Sequence, residues 1–172
     1  MGHPPHNREL VLRDGAMIRV RPLLAGDRAI YERAVVDLSP RSRYLRFFTP
    51  IEKPSKRLLD QMTQTDGHLH VAYLAVTMDG STALGAVRYI LGVDDHRSAE
   101  VAIAVADDWQ RRGLGSQVLR HTVEHAQRAG LRSLTALTLR ENPAAAGLLR
   151  ASGFGAVASG GLYAEHHIGL RP

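Results

Sequence analysis

The sequence predicts an α/β chain of the α+β kind: a mixed, mostly antiparallel central sheet flanked by helices. Three observations carry this. Two runs rich in Val, Tyr and Leu, Leu69–Met78 and Thr82–Val93, flank Asp79-Gly80, a hairpin signal. A strand over Glu100–Val105 leads through a glycine-containing turn into a long helix over Leu114–Ala129, and a strand over Leu134–Leu139 follows. The order β, helices, β-β-β, α, β, α, β-β lacks the regular alternation of a doubly wound sheet. One central crossover among hairpins gives a mixed sheet.

The remaining elements follow in order. Residues 1–13 read as a loose polar lead-in, and residues 14–172 as a single domain. Met17–Arg21 alternates apolar and charged residues, as a half-buried strand does, and Pro22 ends it. Asp27 precedes a helical pattern through Ala29, Ile30, Ala34 and Val35, and Ser39-Pro40 reads as its stop. The aromatic cluster Tyr44, Phe47 and Phe48 with Leu45 reads as a short core-facing helix. Ser55 caps a helix over Lys56–Gln64. Gly130 suits the end of the long helix. Asn142-Pro143 opens another helix, with Asn as cap and Pro in the first turn, ending near Ser152-Gly153. Phe154–Ala158 and Leu162–Ile168 read as two last strands about Gly160-Gly161.

Composition narrows the function classes. The 172 residues suit one domain with a sizeable core, and 44% hydrophobic content is ordinary for a globular protein. No apolar run reaches the roughly 18 residues of a membrane span, and the first ten residues lack a signal-peptide core. His6 stands where N-myristoylation wants Ser or Thr. The absence of cysteine removes disulfides, thiolate zinc sites and cysteine nucleophiles, and fits a cytoplasmic protein. The net charge of +5 is almost all arginine, spread without a block, so an anionic ligand suits it and nucleic acid is not expected.

The chemistry concentrates in Gln110-Arg111-Arg112-Gly113-Leu114-Gly115 at the start of the long helix. Backbone N–H groups there lack intrahelical partners, and the helix dipole adds positive character. Two arginines add full charges, and the glycines admit close approach of a ligand. This is an anion site suited to a pyrophosphate. It is neither a P-loop, since no Gly-Lys-Ser/Thr follows, nor a dinucleotide fingerprint, since Val118 stands where the third glycine belongs.

A second stretch, Asn142-x-x-Ala145-x-x-Leu148 continuing to Gly153-Phe154, completes a pattern that resembles the GNAT superfamily of acyl-CoA-dependent N-acetyltransferases. The resemblance covers Met17 to Ile168. Two segments, VRPLLAGDRAIYERAVVDLSPRSRYLRFF and AEVAIAVADDWQRRGLG, look like the acetyltransferase domain of bacterial Pat-type protein lysine acetyltransferases. Such proteins commonly carry that domain fused to a ligand-sensing or synthetase-like domain; this chain reads as the acetyltransferase part alone.

The resemblance implies acetyl-CoA, or another short acyl-CoA, as co-substrate and no metal. The amides of Gln110, Arg111, Arg112, Gly113, Leu114 and Gly115, with Ser116, would cradle the coenzyme's pyrophosphate. The strand at Ala104, Val105 and Ala106 would pair with the pantetheine arm, and Asn142 would contact that arm near its sulfur end. Glu100 matches the glutamate general base of lysine-modifying relatives. Many relatives place a tyrosine general acid on the last helix where this chain has Leu149; Tyr73, Tyr89 and Tyr163 do not match that place.

Glu100 also stands out on its residues alone, as the one acidic group in an apolar strand. An acceptor amine of pKa near ~10.4 must lose a proton to attack a thioester, and a nearby carboxylate takes it. The competing reading pairs Glu100 with an arginine such as Arg88 or leaves it at an exposed strand end. His121, Glu124 and His125 match an inverted zinc-peptidase pattern, but the pair is expected on the partly exposed flank of the helix. His68 and His70 share one face of a strand and read as surface groups, with a place on the acceptor side as the alternative; His166-His167 point oppositely and suggest nothing specific.

The expected activity is acetyl transfer from acetyl-CoA to an amine, with a protein lysine as acceptor and a monomer or homodimer as the working form. Two alternatives stand beside it: a small-molecule amine N-acetyltransferase, and a non-catalytic acyl-CoA-binding or sensing module.

Overall fold

A computed structural model describes residues 7–157 and 160–171. The chain runs β1 (Arg8–Val11), β2 (Met17–Pro22), α1 (Arg28–Asp37), α2 (Pro40–Phe47), α3 (Lys56–Thr63), β3 (His70–Val76), β4 (Ala83–Leu91) and β5 (Ser98–Val105). It continues with α4 (Leu114–Arg128), β6 (Ser133–Leu139), α5 (Pro143–Ala151), β7 (Gly155–Ala156) and β8 (Tyr163–Gly169). Eight strands form one sheet in the order β1-β2-β3-β4-β5-β6-β8-β7. Among the described residues β5 and β6 are the one parallel pair, so the sheet is mixed and mostly antiparallel, as expected.

Strand alternation sorts the core into two layers. Val71, Tyr73, Val87, Tyr89 and Val101 point to one face, where Leu114, Val118, Leu119 and Ala126 of α4 cover them. Ala72 and Leu74 point to the other face, under Tyr31 and Val35 of α1 and Leu59 of α3. Helix boundaries follow local chemistry. Ser55 Oγ accepts from Leu58 N, and Asn142 Oδ1 accepts from Ala145 N at 3.1 Å ahead of Pro143. Gly130 ends α4 with a left-handed φ of 81°.

Two expectations change. Residues 8–11 are not loose: β1 pairs antiparallel with β2, and Gln117 Nε2 donates to Val11 O at 3.0 Å, fastening the hairpin to α4. Val11 is 60% exposed, so this edge strand carries little hydrophobic signal. Ser39-Pro40 starts a helix rather than only stopping one. Ser39 Oγ accepts from Ser42 N and Pro40 takes the first turn of α2. No α2 residue is fully buried, so this helix is a wall rather than a core element. The readings on residues 1–6 and on Ala158 lie outside the described residues. Among those described, no helix is long and apolar enough to cross a membrane.

Candidate active site

The site begins where two strands part. β5 and β6 pair only at Ser98↔Ser133, Ala99↔Leu134 and Glu100↔Thr135, although β5 runs on to Val105 and β6 to Leu139. Beyond Glu100 they diverge, and among the described residues the β6-facing edge of β5 has no strand partner. Ladder parity determines which groups face the gap. Ala106 N donates to Leu84 O, and Gly92 N donates to Ser98 O, each at 2.9 Å. Every second residue between them, Glu100, Ala102 and Ala104, therefore turns its backbone polar groups towards β4. Ile103 and Val105 turn theirs into the gap.

This corrects two expected contacts. The amides of Ala104 and Ala106 are committed to β4, so neither is available to a pantetheine arm. The Ala104 side chain still lines the groove, whereas Ala106 lies at a separate small hollow beneath α1. Of the two residues whose polar groups enter the gap, the sequence reading named Val105 and not Ile103.

The gap opens into a groove of about 330 Å³. Ala104 and Val105 form its floor, and Gln110, Arg111, Gly113, Gly115 and Ser116 form its glycine-turn end. Asn142, Ala145 and Leu148 form one wall, and Ser42, Leu45 and Arg46 of α2 the other. The turn needs its glycine: Gly113 has φ 90°, left-handed space that L-residues disfavour. Gly115 serves by its small size, since a Cβ there would meet Leu148 Cδ2 at 3.1 Å. Among the described residues, no backbone N–H from Arg111 to Ser116 has a backbone acceptor; Gln117 N is the next that does, donating to Gly113 O at 3.1 Å.

Two predicted residues of the turn do not bring their side chains to the groove. Leu114 is fully buried in the α4 core. Arg112 stacks over Trp109, its guanidinium carbon 4.0 Å from the ring centroid, and pairs with Asp14. Arg111 remains at the lining, held in a left-handed conformation with φ 58°. Gln110 Nε2 donates to Val105 O at 3.1 Å, tying the turn to the strand.

The α2 wall is held by Asp107. Its carboxylate accepts from Ser39 N and Ser39 Oγ, both at 2.9 Å, and from Ser42 Oγ at 2.6 Å. Burial pushes this carboxyl up, but the hydrogen bonds from Ser42 and Ser39 outweigh it and hold Asp107 below the usual carboxylate range. Across the groove, Arg41 Nη1 of α2 reaches Glu141 Oε2 at 3.0 Å, beside Asn142.

A smaller hollow of about 80 Å³ continues the groove and holds Glu100. It shares Leu45, Arg46, Ile103, Asn142 and Ala145 with the groove, so both belong to one cleft. Glu100 is exposed at the apex where the strands part, and among the described residues it forms no ion pair. Arg88 is engaged elsewhere: it contacts His70 Nε2 at 3.0 Å and donates to Tyr31 Oη at 3.1 Å. The Arg88 pairing is thereby excluded, and the exposed position on the competing reading is what the fold shows. The exposure belongs to the mouth of the cleft.

Leu149 is buried beneath this hollow. Tyr163 packs against Phe48, a lining residue of the hollow, with ring centroids 5.3 Å apart and the rings tilted by 59°. Tyr73 and Tyr89 point to the α4 face, away from Glu100, and burial pushes both phenols up, Tyr89 to about 12. His121 is also on that face, and buried rather than flanking. It packs edge-on to Tyr73 at 4.7 Å, with neither ring nitrogen partnered among the described residues. No group of three or more metal-ligating side chains occurs among the described residues.

Comparison with known proteins gives a consistent picture. The acetyltransferase (GNAT) family pattern matches residues 37–154. An acetyltransferase of Pseudomonas aeruginosa is 34% identical over 145 residues, covering 83% of this chain and 77% of that protein. Acetyltransferase Pat of Mycolicibacterium smegmatis is 28% identical over 133 residues, covering 77% of this chain but only 40% of that longer protein. Among solved structures, the GNAT domain of S. lividans Pat superposes with a TM-score of 0.92 at 28% identity, over 98% of this chain and all of that one. Spermidine N-acetyltransferase from Vibrio cholerae, in complex with CoA and spermine, shares the fold: TM-score 0.71 at 17% identity, over 89% of this chain and 95% of that one.

Proposed function

The chain belongs to the acetyltransferase (GNAT) family, whose members use acyl-CoA, and from that premise we propose direct transfer of an acetyl group from acetyl-CoA to a protein lysine, with Glu100 as general base. The observation that carries the proposal is the single cleft linking the glycine turn, the unpaired edge of β5 and Glu100.

Each part has a chemical task. The N–H groups from Arg111 to Ser116 receive the pyrophosphate at the positive end of α4. The pantetheine arm then lies along the free edge of β5, where Ile103 and Val105 offer strand-like hydrogen bonds. This directs the thioester towards Glu100. Asn142 uses its Oδ1 to cap α5, so its Nδ2 is the atom left to donate to the arm.

A lysine ammonium gives its proton to the Glu100 carboxylate, and the neutral amine attacks the thioester carbonyl. The N–C bond forms first, a gap-facing N–H stabilising the oxyanion; the C–S bond then breaks as this adduct collapses, and the second proton of the amine passes through water to the released thiolate, leaving the amide and free coenzyme A. The leaving group is a thiolate of a thiol with pKa near ~8.5, which departs without a dedicated acid. Leu149 at the tyrosine position is therefore compatible with turnover.

A macromolecular acceptor is supported by the openness of the Glu100 side. Ile90, Leu137 and Tyr163 are each 38–44% exposed on that face, a surface rather than an enclosed pocket. The testing experiment is acetyl-CoA turnover with labelled acetyl group against cell lysate and an amine panel. Label in protein lysine supports the proposal. Label only in a small amine moves the assignment to a small-molecule acetyltransferase, and coenzyme binding without transfer to any acceptor moves it to a sensing module.

A further inference from the structure

The hairpin joining β1 to β2 places its turn against the glycine turn of the coenzyme groove. Leu12 N donates to Ala16 O at 2.9 Å and Arg13 N donates to Arg112 O at 3.4 Å, so the two turns are in direct backbone contact. Two adjacent residues of the hairpin then act oppositely. Asp14 pairs with Arg112, which is also stacked on Trp109, and this removes the Arg112 charge from the groove. Arg13 supplies a replacement. Its side chain crosses Gly113, with Cγ, Cδ and Nε lying 3.3–3.5 Å from where a Cβ would stand, and it lines the groove.

Among the described residues the Arg13 guanidinium has no ion-pair partner. A phosphate ligand would therefore not have to displace a carboxylate from it. The position of Arg13 determines which phosphate. The pyrophosphate is matched by the open amides of the turn and the α4 terminus, and the pantetheine arm runs from there along β5. The nucleotide end leaves the pyrophosphate away from that arm, and Arg13 lies exposed beside the turn, over Gly113. That end of coenzyme A carries a third phosphate, the 3′-phosphomonoester, which is the strongest remaining anion of the molecule.

We infer that Arg13, presented by the N-terminal hairpin, recognises the 3′-phosphate of coenzyme A and makes the groove selective for the 3′-phosphorylated coenzyme. The inference rests on the assignment of the groove to coenzyme A. It makes the β1–β2 hairpin part of the binding site, although sequence patterning marks residues 1–13 as a lead-in.

The test is calorimetric titration of the full chain with coenzyme A and with 3′-dephospho-coenzyme A. The wild type should prefer coenzyme A by roughly tenfold or more, the scale of one charge-assisted hydrogen-bonded contact. Arg13→Gln should lose that preference while binding dephospho-coenzyme A as the wild type does; Arg13→Lys should retain part of it; Arg112→Gln should keep it. Equal binding of the two ligands by the wild type overturns the inference and leaves the coenzyme assignment standing. Loss of both affinities in Arg13→Gln with unchanged thermal stability also overturns it, as does collapse of the preference in Arg112→Gln. Failure of the wild type to bind either ligand refutes the coenzyme assignment itself.

Discussion

Replacing Gly113 by alanine tests whether the glycine turn is the coenzyme cradle. Gly113 has φ 90°, and a left-handed backbone costs an L-residue about 1–2 kcal/mol. The new Cβ would also approach Arg13 Nε at 3.3 Å, and the exposed, flexible Arg13 side chain would move aside. For a chain of this size 1 kcal/mol lowers Tm by about 2–4 °C, so Gly113→Ala should melt about 2–8 °C lower. Gly130→Ala is the matched control. Gly130 has φ 81° and nothing within 4 Å of the added Cβ, and it lies at the far end of α4. Both variants should lose similar thermal stability by differential scanning calorimetry. In titrations with coenzyme A below either transition, only Gly113→Ala should bind more weakly, by roughly tenfold, as the amide cradle and Arg13 shift. Equal affinity loss in the two variants, or full affinity in Gly113→Ala, would refute the reasoning.

Further outcomes follow from particular side chains. Burial first, then the Arg8 charge, pushes His121 down; burial and Arg128 push His125 down; burial and Arg88 push His70 down. Their folded values lie below the unfolded value, so the unfolded chain binds more protons as pH falls through 6.5. Stability should then drop with acidification, by up to ~1.4 kcal/mol per pH unit for each histidine, and urea melts flat from pH 7 to 5 would contradict this. His121→Phe keeps the edge-on packing against Tyr73 and removes two unpartnered buried nitrogens. It should raise the urea midpoint by about 1 kcal/mol equivalent and flatten that slope, whereas a clear loss of stability would show that those nitrogens are satisfied in solution. Asn142→Ala should lose about 1 kcal/mol with the α5 cap. Asn142→Asp should restore stability but not coenzyme affinity, because it keeps the capping oxygen and lacks the Nδ2 donor; recovery of both in titrations would remove Asn142 from the ligand side.

The sequence made the fold legible wherever a signal was local. Asp79-Gly80, Asn142-Pro143 and Gly130 each acted within a few residues of where they stand, and the structure bears them out. What stayed hidden depended on partners remote in the chain. Which β5 amides are free follows from pairing parity with β4, and no pattern within residues 98–106 reveals it. Arg13 reaches the site only because a short, exposed edge strand returns its hairpin to α4. His121 looks amphipathic in its own helix and is buried because Tyr73 of β3 lies opposite. Ser39-Pro40 was legible in principle: a serine cap followed by proline in the first turn is a helix start as well as a stop.

The proposed chemistry rests on Glu100, and its unpaired, exposed position makes a clean substitution possible. Glu100→Gln removes the proton acceptor and breaks no ion pair among the described residues, so stability should change by less than about 0.5 kcal/mol. The decisive measurement is the single-turnover rate of acetyl transfer in Glu100→Gln at saturating acetyl-CoA, with the acetyl-CoA Kd measured on the same sample. The account predicts a rate lower by about 10²–10⁴-fold with Kd unchanged. An unchanged rate at unchanged Kd would contradict it.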